Sequence, residues 1–333
     1  MRFDLGTTGS DDEDALSTEV LVLDRRETEE LLDMSEALEA VERAFKLEAN
    51  GETIMPPKLY LDLPAYHGDF RAMPAYVDNS VGLKWVSVYP DNHRRNYPCV
   101  MAIIILSDTE TGCPLAIMDG TYITSMRTGA AGGVAVKYLA RRSSSVIGIV
   151  GAGVQARTQL LAIDEVLPNI EEVKVFDLYG DRSQKYAEEM AAKLNISIRP
   201  VQTIEEATEA DVVVTTTTSA VPIVKKQHIR PGTHINAIGA DGRGKQEMEI
   251  GVLKNAKIVV DDIEQASHSG EINVPLLKNL IALDDIYASM GEIVAGKKRG
   301  RENDEEITVF DSTGLAIHDI ICAKVVYNKA RKR

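Results

Sequence analysis

Apolar positions recur at helical spacing through "LLDMSEALEAVERAFKLEA", Leu31 to Ala49, and Asn50-Gly51 follows as a stop, so the pattern predicts a helix there. Beyond it the period changes. The runs "IMPPKLYLDLP", "GDFRAMPAYV", "GLKWVSVYP", "VMAIIILSD" and "PLAIMDG" are short, β-prone and separated by Pro, Gly, Asp and Asn. They predict an antiparallel or mixed sheet. From Thr121, "TYITSMRTGAAGGVAVKYLARR" places small residues at helical spacing and ends in a basic turn, a helix expected to lead into a second domain.

After that helix, strand-like and helix-like segments alternate: "SVIGIV", "VQARTQLLAIDEVL", "EVKVFD", "RSQKYAEEMAAKL", then "ADVVVTTTT", "THINAIG" and "KIVVDD". Parallel strands joined by right-handed crossovers give this alternation, so a doubly wound parallel sheet is predicted. The closing stretch "GLAIHDIICAKVVYNKA" reads as a helix with no strand after it, which can pack back on the first domain.

Composition narrows the partners. A chain of 333 residues suits two domains, each able to bury a core. A formal net charge of −14 argues against nucleic acid, because phosphate binding needs a cationic surface. Small molecules are the expected partners. Part of the acidity lies in "MRFDLGTTGSDDEDALS", which has no apolar face and reads as a solvated, disordered tail over 1–18. No apolar run approaches the roughly 20 residues of a membrane span, and no basic-then-apolar signal sequence opens the chain. A cytoplasmic protein with no membrane contact is expected. Cys99, Cys113 and Cys322 are odd in number and far apart, which fits neither a disulfide scaffold nor a metal clip; they read as buried free thiols. His67, His93, His228, His234, His268 and His318 show no ligand spacing, so no metal site is expected.

In "GIVGAGVQA" an apolar strand runs into Gly151-Ala152-Gly153, and Ala156 takes the third small position of G-x-G-x-x-G/A. Gly151 permits a tight turn, Gly153 lets backbone approach a pyrophosphate, and Ala156 lets helix and strand pack closely. By itself the spacing also admits a glycine-punctuated turn with no ligand. Asp177 ends the next strand, where a carboxylate would accept both ribose hydroxyls and repel a 2′-phosphate, and Leu178 and Tyr179 bring no cation. NAD is expected over NADP. The fold class is therefore α/β, a Rossmann-type sheet plus a second, mixed α/β domain.

Four further places carry chemistry, each with two readings. Lys84 in "GLKWV" is either a strand lysine reaching solvent or one walled by apolar neighbours, whose pKa falls towards neutrality. Arg127 in "SMRTGAAGG" is either a surface ion pair or a fork for phosphate or carboxylate. Asp241 ends "INAIGAD", where ligands of open α/β sheets collect, or it caps the following loop. Thr216 and Thr217 line the nicotinamide side or simply continue a β-prone strand.

The blocks "MPPKLYLDLP", "FRAMPAY", "GLKWVSVYPDN", "ETGCPLAIMDGTYITSMRTGAAGG", "GIVGAGVQA", "INAIGADGRGKQE" and "FDSTGLAIHD" together resemble the ornithine cyclodeaminase/mu-crystallin family over roughly 20–330, and within it the archaeal-type alanine dehydrogenase branch. The resemblance implies a homodimer and a catalytic cleft between domains. With the periodicity it implies a substrate-binding and dimerisation domain over 19–126, with helix 312–333 packing back on it, and a Rossmann NAD-binding domain over 127–311. It puts the general acid/base at Lys84 and an acid that positions the amino group and water at Asp241. Lys58, where the family often has arginine, Arg71 and Arg127 are implied to hold the substrate carboxylate. Cofactor contacts are implied at Arg127, Gly151, Gly153, Val154, Gln155, Asp177, Leu178, Tyr179, Thr216, Thr217, Ile238, Gly239, Ala240, Asp241 and Ser312.

Arg71 separates the reactions. Similar cyclodeaminases carry an acid in the equivalent of "FRAMP", facing the distal amine of ornithine; a guanidinium there repels that ammonium. The expectation is reversible NAD-dependent oxidative deamination of L-alanine to pyruvate and ammonia. Ornithine cyclodeamination and cyclic ketimine reduction are the alternative reactions, and a mu-crystallin-like binding protein is the non-enzymatic alternative.

Overall fold

The structure, a computed structural model, describes residues 19–333 together with the backbone of residues 2–4. The tail expected over 1–18 lies outside the described residues except for β1, Arg2–Asp4, which pairs antiparallel with β2, Glu19–Leu23. A solvated tail was expected there. The edge of β2 offers unpaired backbone groups that a short segment can satisfy whatever its side chains. The chain divides into two units, Met1–Arg127 with Ala316–Arg333, and Thr128–Leu315.

In the first unit, a short helix α1, Arg25–Glu29, precedes α2, Met34–Ala49. The apolar period begins at Leu31, but Asp33 starts α2 by accepting the Glu36 N–H, while the Glu36 side chain accepts the Asp33 N–H. Strands β3 (Leu59–Leu63), β4 (Gly68–Val77), β5 (Ser80–Val88), β6 (Val100–Ser107) and β7 (Pro114–Asp119) complete a sheet in the order β1-β2-β7-β6-β5-β4-β3. Only β2 and β7 run parallel. Asp78 and Asn79, with φ of 50° and 53°, make the two-residue hairpin between β4 and β5. Burial alternates along both strands, so one face is core.

The C-terminal helix, Ala316–Ala330, packs on that face with α2. Gly82 makes room for it: a Cβ there would lie 2.8 Å from Ile320 Cδ1 and 2.6 Å from Ile105 O. Of the three thiols expected to be buried, only Cys322, on this helix, is. Cys113 is exposed because its carbonyl closes the β6–β7 turn onto the Asp108 N–H, and Cys99 is half-buried.

Helix α3, Gly120–Leu139, carries the chain into the second unit. There β8 (Val146–Val150), α4 (Val154–Val166), β9 (Glu172–Phe176), α5 (Gly180–Leu194), β10 (Ile198–Pro200), β11 (Val212–Thr215), β12 (His234–Ala237), β13 (Lys257–Val260), β14 (Ile286–Ser289) and β15 (Thr308–Asp311) follow. The sheet is wholly parallel, ordered β10-β9-β8-β11-β12-β15-β13-β14, a Rossmann-type doubly wound arrangement. Val212 and Val214 pack on one side with Leu160, Tyr186 and Met190, and Val213 on the other with Ile235, Ile258 and Val309. Strand order reverses between β8 and β11, which opens a crevice at their carboxyl ends. Among the described residues no helix is long and apolar enough to cross a membrane.

Candidate active site

The glycine turn sits at that crevice. Gly151 has φ 98°, a region that side chains avoid, and a Cβ on it would meet Thr217 Cγ2 at 3.0 Å and Thr216 Oγ1 at 3.1 Å. Thr216 Oγ1 donates to Gly151 O at 2.8 Å, joining the ends of β8 and β11. Gly153 caps α4 with no side-chain hydrogen bond, and nothing lies within 4 Å of its would-be Cβ. The first turn of α4, with exposed Val154 and with Gln155, thus keeps backbone donors for an anion.

Asp177 directly follows β9 and accepts Ala152 N–H at 2.9 Å and Tyr179 N–H at 3.0 Å, one on each oxygen. Each oxygen keeps a second lone pair for a diol. Among the described residues no cation ion-pairs with it, Leu178 is exposed, and Arg182 lies over the Tyr179 ring at 4.5 Å.

Around the ends of β11 and β12, Thr215, Thr217 and Gly239 converge on one buried carboxylate, Glu247. Ile238 N–H and Gly239 N–H also donate to Thr215 O, and Ala240 is buried. Asp241 ion-pairs with Lys245 at 2.6 Å. Ser312 donates its N–H to Ala237 O, and its hydroxyl lies 3.5 Å from Asp261.

In the first unit, Lys84 is not a solvent-facing strand lysine: it is 1% exposed. Cross-strand pairing sets it in the row Met73, Lys84, Ile104, Met118, on the face covered by the C-terminal helix. Its Nζ lies 2.6 Å from Asp319 Oδ2, and Arg127 Nε donates to Asp319 Oδ1 at 2.9 Å. Neither terminal nitrogen of Arg127 makes a hydrogen bond among the described residues. Burial, then the Arg127 charge, pushes Lys84 down to about 7 against the pull of Asp319; Lys58 also lowers it. Burial pushes Asp319 upwards, yet Arg127 and Lys84 hold its carboxyl below the usual range. Burial lowers neighbouring His318 to about 3, so its ring is neutral.

Arg71 is buried on the same strand face but arrives already paired, Nε at 2.7 Å and Nη2 at 3.3 Å from the two oxygens of Asp69, with Tyr60 5.2 Å beneath the guanidinium. The structure thus gathers Lys84, Arg127 and Asp319 in one unit and the glycine turn, Asp177, Thr216, Thr217 and Gly239 in the other. Sequence reasoning missed Asp319 and Glu247, though both lie in the quoted blocks. A charge inside "LAIHDIICA", an otherwise apolar helical run, was the available signal for Asp319. Glu247 had none, because its donors come from two segments far from each other along the chain.

The model of the ornithine cyclodeaminase/mu-crystallin family matches residues 18–333. An alanine dehydrogenase of Archaeoglobus fulgidus is 53% identical over 313 residues, 94% of this chain and 95% of that protein. Among solved structures, an archaeal alanine dehydrogenase dimer with bound NAD superposes with a TM-score of 0.91 at 53% identity, covering 94% of this chain and 96% of the other. The Thermococcus litoralis Δ1-pyrroline-2-carboxylate reductase, solved with NADH and L-proline, gives a TM-score of 0.92 at 46% identity, covering 94% and 98%.

Proposed function

The chain belongs to the ornithine cyclodeaminase/mu-crystallin family, and from that premise we propose that it is an NAD-dependent dehydrogenase that reversibly deaminates L-alanine to pyruvate and ammonia. Lys84 carries the reading: a buried amine, ion-paired to Asp319 and held at about 7, exchanges protons where amine chemistry at neutral pH needs it. Likeness to an alanine dehydrogenase supports the substrate.

The residues of the second unit fit NAD. The open turn at Gly153 suits a pyrophosphate, and the Asp177 carboxylate, with no paired cation among the described residues, suits an adenosine ribose diol and disfavours a 2′-phosphate. Bound NAD supplies the hydride acceptor.

Lys58, Arg71 and Arg127 hold the substrate carboxylate, Arg71 and Arg127 as guanidinium forks oriented by Asp69 and Asp319. Neutral Lys84 removes a proton from the substrate ammonium, making the lone pair available as the α-hydrogen leaves as hydride. Water then adds to the iminium carbon. Asp241 positions amine and water while Lys84 returns a proton to the departing nitrogen. Alanine, NAD⁺ and water thereby give pyruvate, ammonium, NADH and a proton. A homodimer completes the reading, as in the solved archaeal relative. Leu59, Leu61 and Ile103, exposed on the sheet face away from the C-terminal helix, suit a second copy.

Likeness to the pyrroline-2-carboxylate reductase supports a second reading, NADH-dependent reduction of a cyclic ketimine acid. One assay separates the reactions. L-alanine with NAD should yield NADH and ammonia in equal amounts; Δ1-pyrroline-2-carboxylate would consume NADH without added ammonia, and ornithine would release ammonia with no net NADH. Silence with alanine and consumption with the cyclic imine would overturn the first reading in favour of the second.

A further inference from the structure

Glu247 belongs to no role assigned above, yet its carboxylate is fully buried and receives four donors from two loops. Oε1 accepts Thr217 N–H at 2.7 Å and Thr217 Oγ1 at 2.6 Å; Oε2 accepts Thr215 Oγ1 at 2.7 Å and Gly239 N–H at 3.0 Å. Thr217 follows β11, the strand beside β8 and its glycine turn, and Gly239 follows β12, the next strand along. A Cβ at Gly239 would come within 2.4 Å of Glu247 Oε2, so the glycine is what lets the carboxylate reach both loops. Its backbone is fixed from behind: Glu247 N–H and Met248 N–H donate to Glu271, whose own N–H donates to Asp311 at the end of β15.

We infer that Glu247 is a positioning residue for the dinucleotide, a buried clamp that sets Thr216-Thr217 and Gly239-Ala240-Asp241 at one spacing around the nicotinamide; this rests on the NAD reading above. The carboxylate does not touch the cofactor in this role. Four donors onto one anion define loop positions more tightly than neutral hydrogen bonds would, because charge-assisted bonds are shorter and stronger. Removing the anion leaves those donors without an acceptor and lets the loops separate.

Glu247→Gln tests this, with NADH binding followed by the cofactor's fluorescence and with KM and kcat measured separately for NAD and alanine. The amide cannot accept from all four donors. The NAD dissociation constant and KM should rise at least tenfold while the melting curve remains cooperative. A purely structural defect would lower the active fraction, and so kcat, with KM for NAD unchanged; that result overturns the inference. Should Glu247→Gln fail to fold, Thr215 decides, since it touches Glu247 from beneath the loop. Thr215→Val should weaken NAD several-fold and Thr215→Ser should restore it; wild-type affinity in the valine variant overturns the inference too. Absence of NAD and NADH binding by the wild-type protein would instead fall on the parent reading, and the clamp would fall with it.

Discussion

The two units each bury a cluster of ionisable groups, and they solve the desolvation problem in opposite ways. In the first, Asp319 stands between two cations, Lys84 and Arg127, at 2.6 Å and 2.9 Å. In the second, Glu247, Glu271 and Asp311 are buried with no lysine or arginine paired to them among the described residues; backbone N–H groups and threonine hydroxyls take the place of countercharge. Countercharges can exchange a proton among themselves, and Lys84 is left poised at about 7. Backbone donors cannot, so the acidic cluster fixes loop geometry while burial pushes Glu247 and Asp311 up, Asp311 to about 8. A buried charge can serve chemistry or architecture, and the identity of its partners decides which.

The largest effect should come from Lys84→Met. It keeps the volume, removes the exchangeable proton and should lower turnover by about 10²–10⁴-fold while the NAD dissociation constant stays within about twofold. Turnover like that of the wild type would remove Lys84 from the chemistry. Asp319→Asn tests the same cluster from its anion. Arg127 would be left buried without its carboxylate partner, and denaturant unfolding should register a loss of about 3–5 kcal/mol.

The same variant has a pH signature with a definite sign. Neutral Lys84 is the base, so kcat/KM in the deamination direction rises with pH through about 7 in the wild type. Asp319 favours the ammonium; without it the Lys84 pKa falls further, and the rising limb moves to lower pH. A limb moving to higher pH would contradict this arrangement.

Asp177→Ala should weaken NAD by about 10–100-fold, the cost of hydrogen bonds to a charged group, and relax discrimination against NADP. An unchanged NAD-to-NADP ratio would detach the residue from the ribose. The smallest effect is expected for Glu271→Gln. An amide oxygen in the place of Oε1 still accepts Glu247 N–H and Met248 N–H, and burial already pushes this carboxyl well above its ordinary value. Stability should change by about 1 kcal/mol or less, and KM for NAD by less than about twofold. A penalty as large as that of Asp319→Asn would erase the contrast between the clusters.

What could be read from the chain alone was what depends on neighbours within a few residues. The period-two burial of β4 and β5, the 3.6-residue period of α2, the turn at Gly151 and the aspartate following β9 are local signals, and the family blocks followed from them. Strand β15 escaped because "TVFD" is four residues long, buried on both faces and without alternation; only insertion between β12 and β13 makes it a strand. Exposure of Cys113 and the pairing of Arg71 with Asp69 were likewise undecided by composition, because a turn and a rotamer set them.

The sequence by itself determined that an apolar strand runs into a glycine turn and a helix, that an aspartate follows the next strand, and that a lysine stands among apolar neighbours. Whether that lysine is a solvated side chain or a buried amine held at about 7 was decided by tertiary structure. Asp319 reaches Lys84 only because the C-terminal helix closes onto β5 at Gly82, and Glu247 gathers its donors only because β11 and β12 end side by side. Charges separated along the chain interact through distance and dielectric in space, and neither is written in the order of residues.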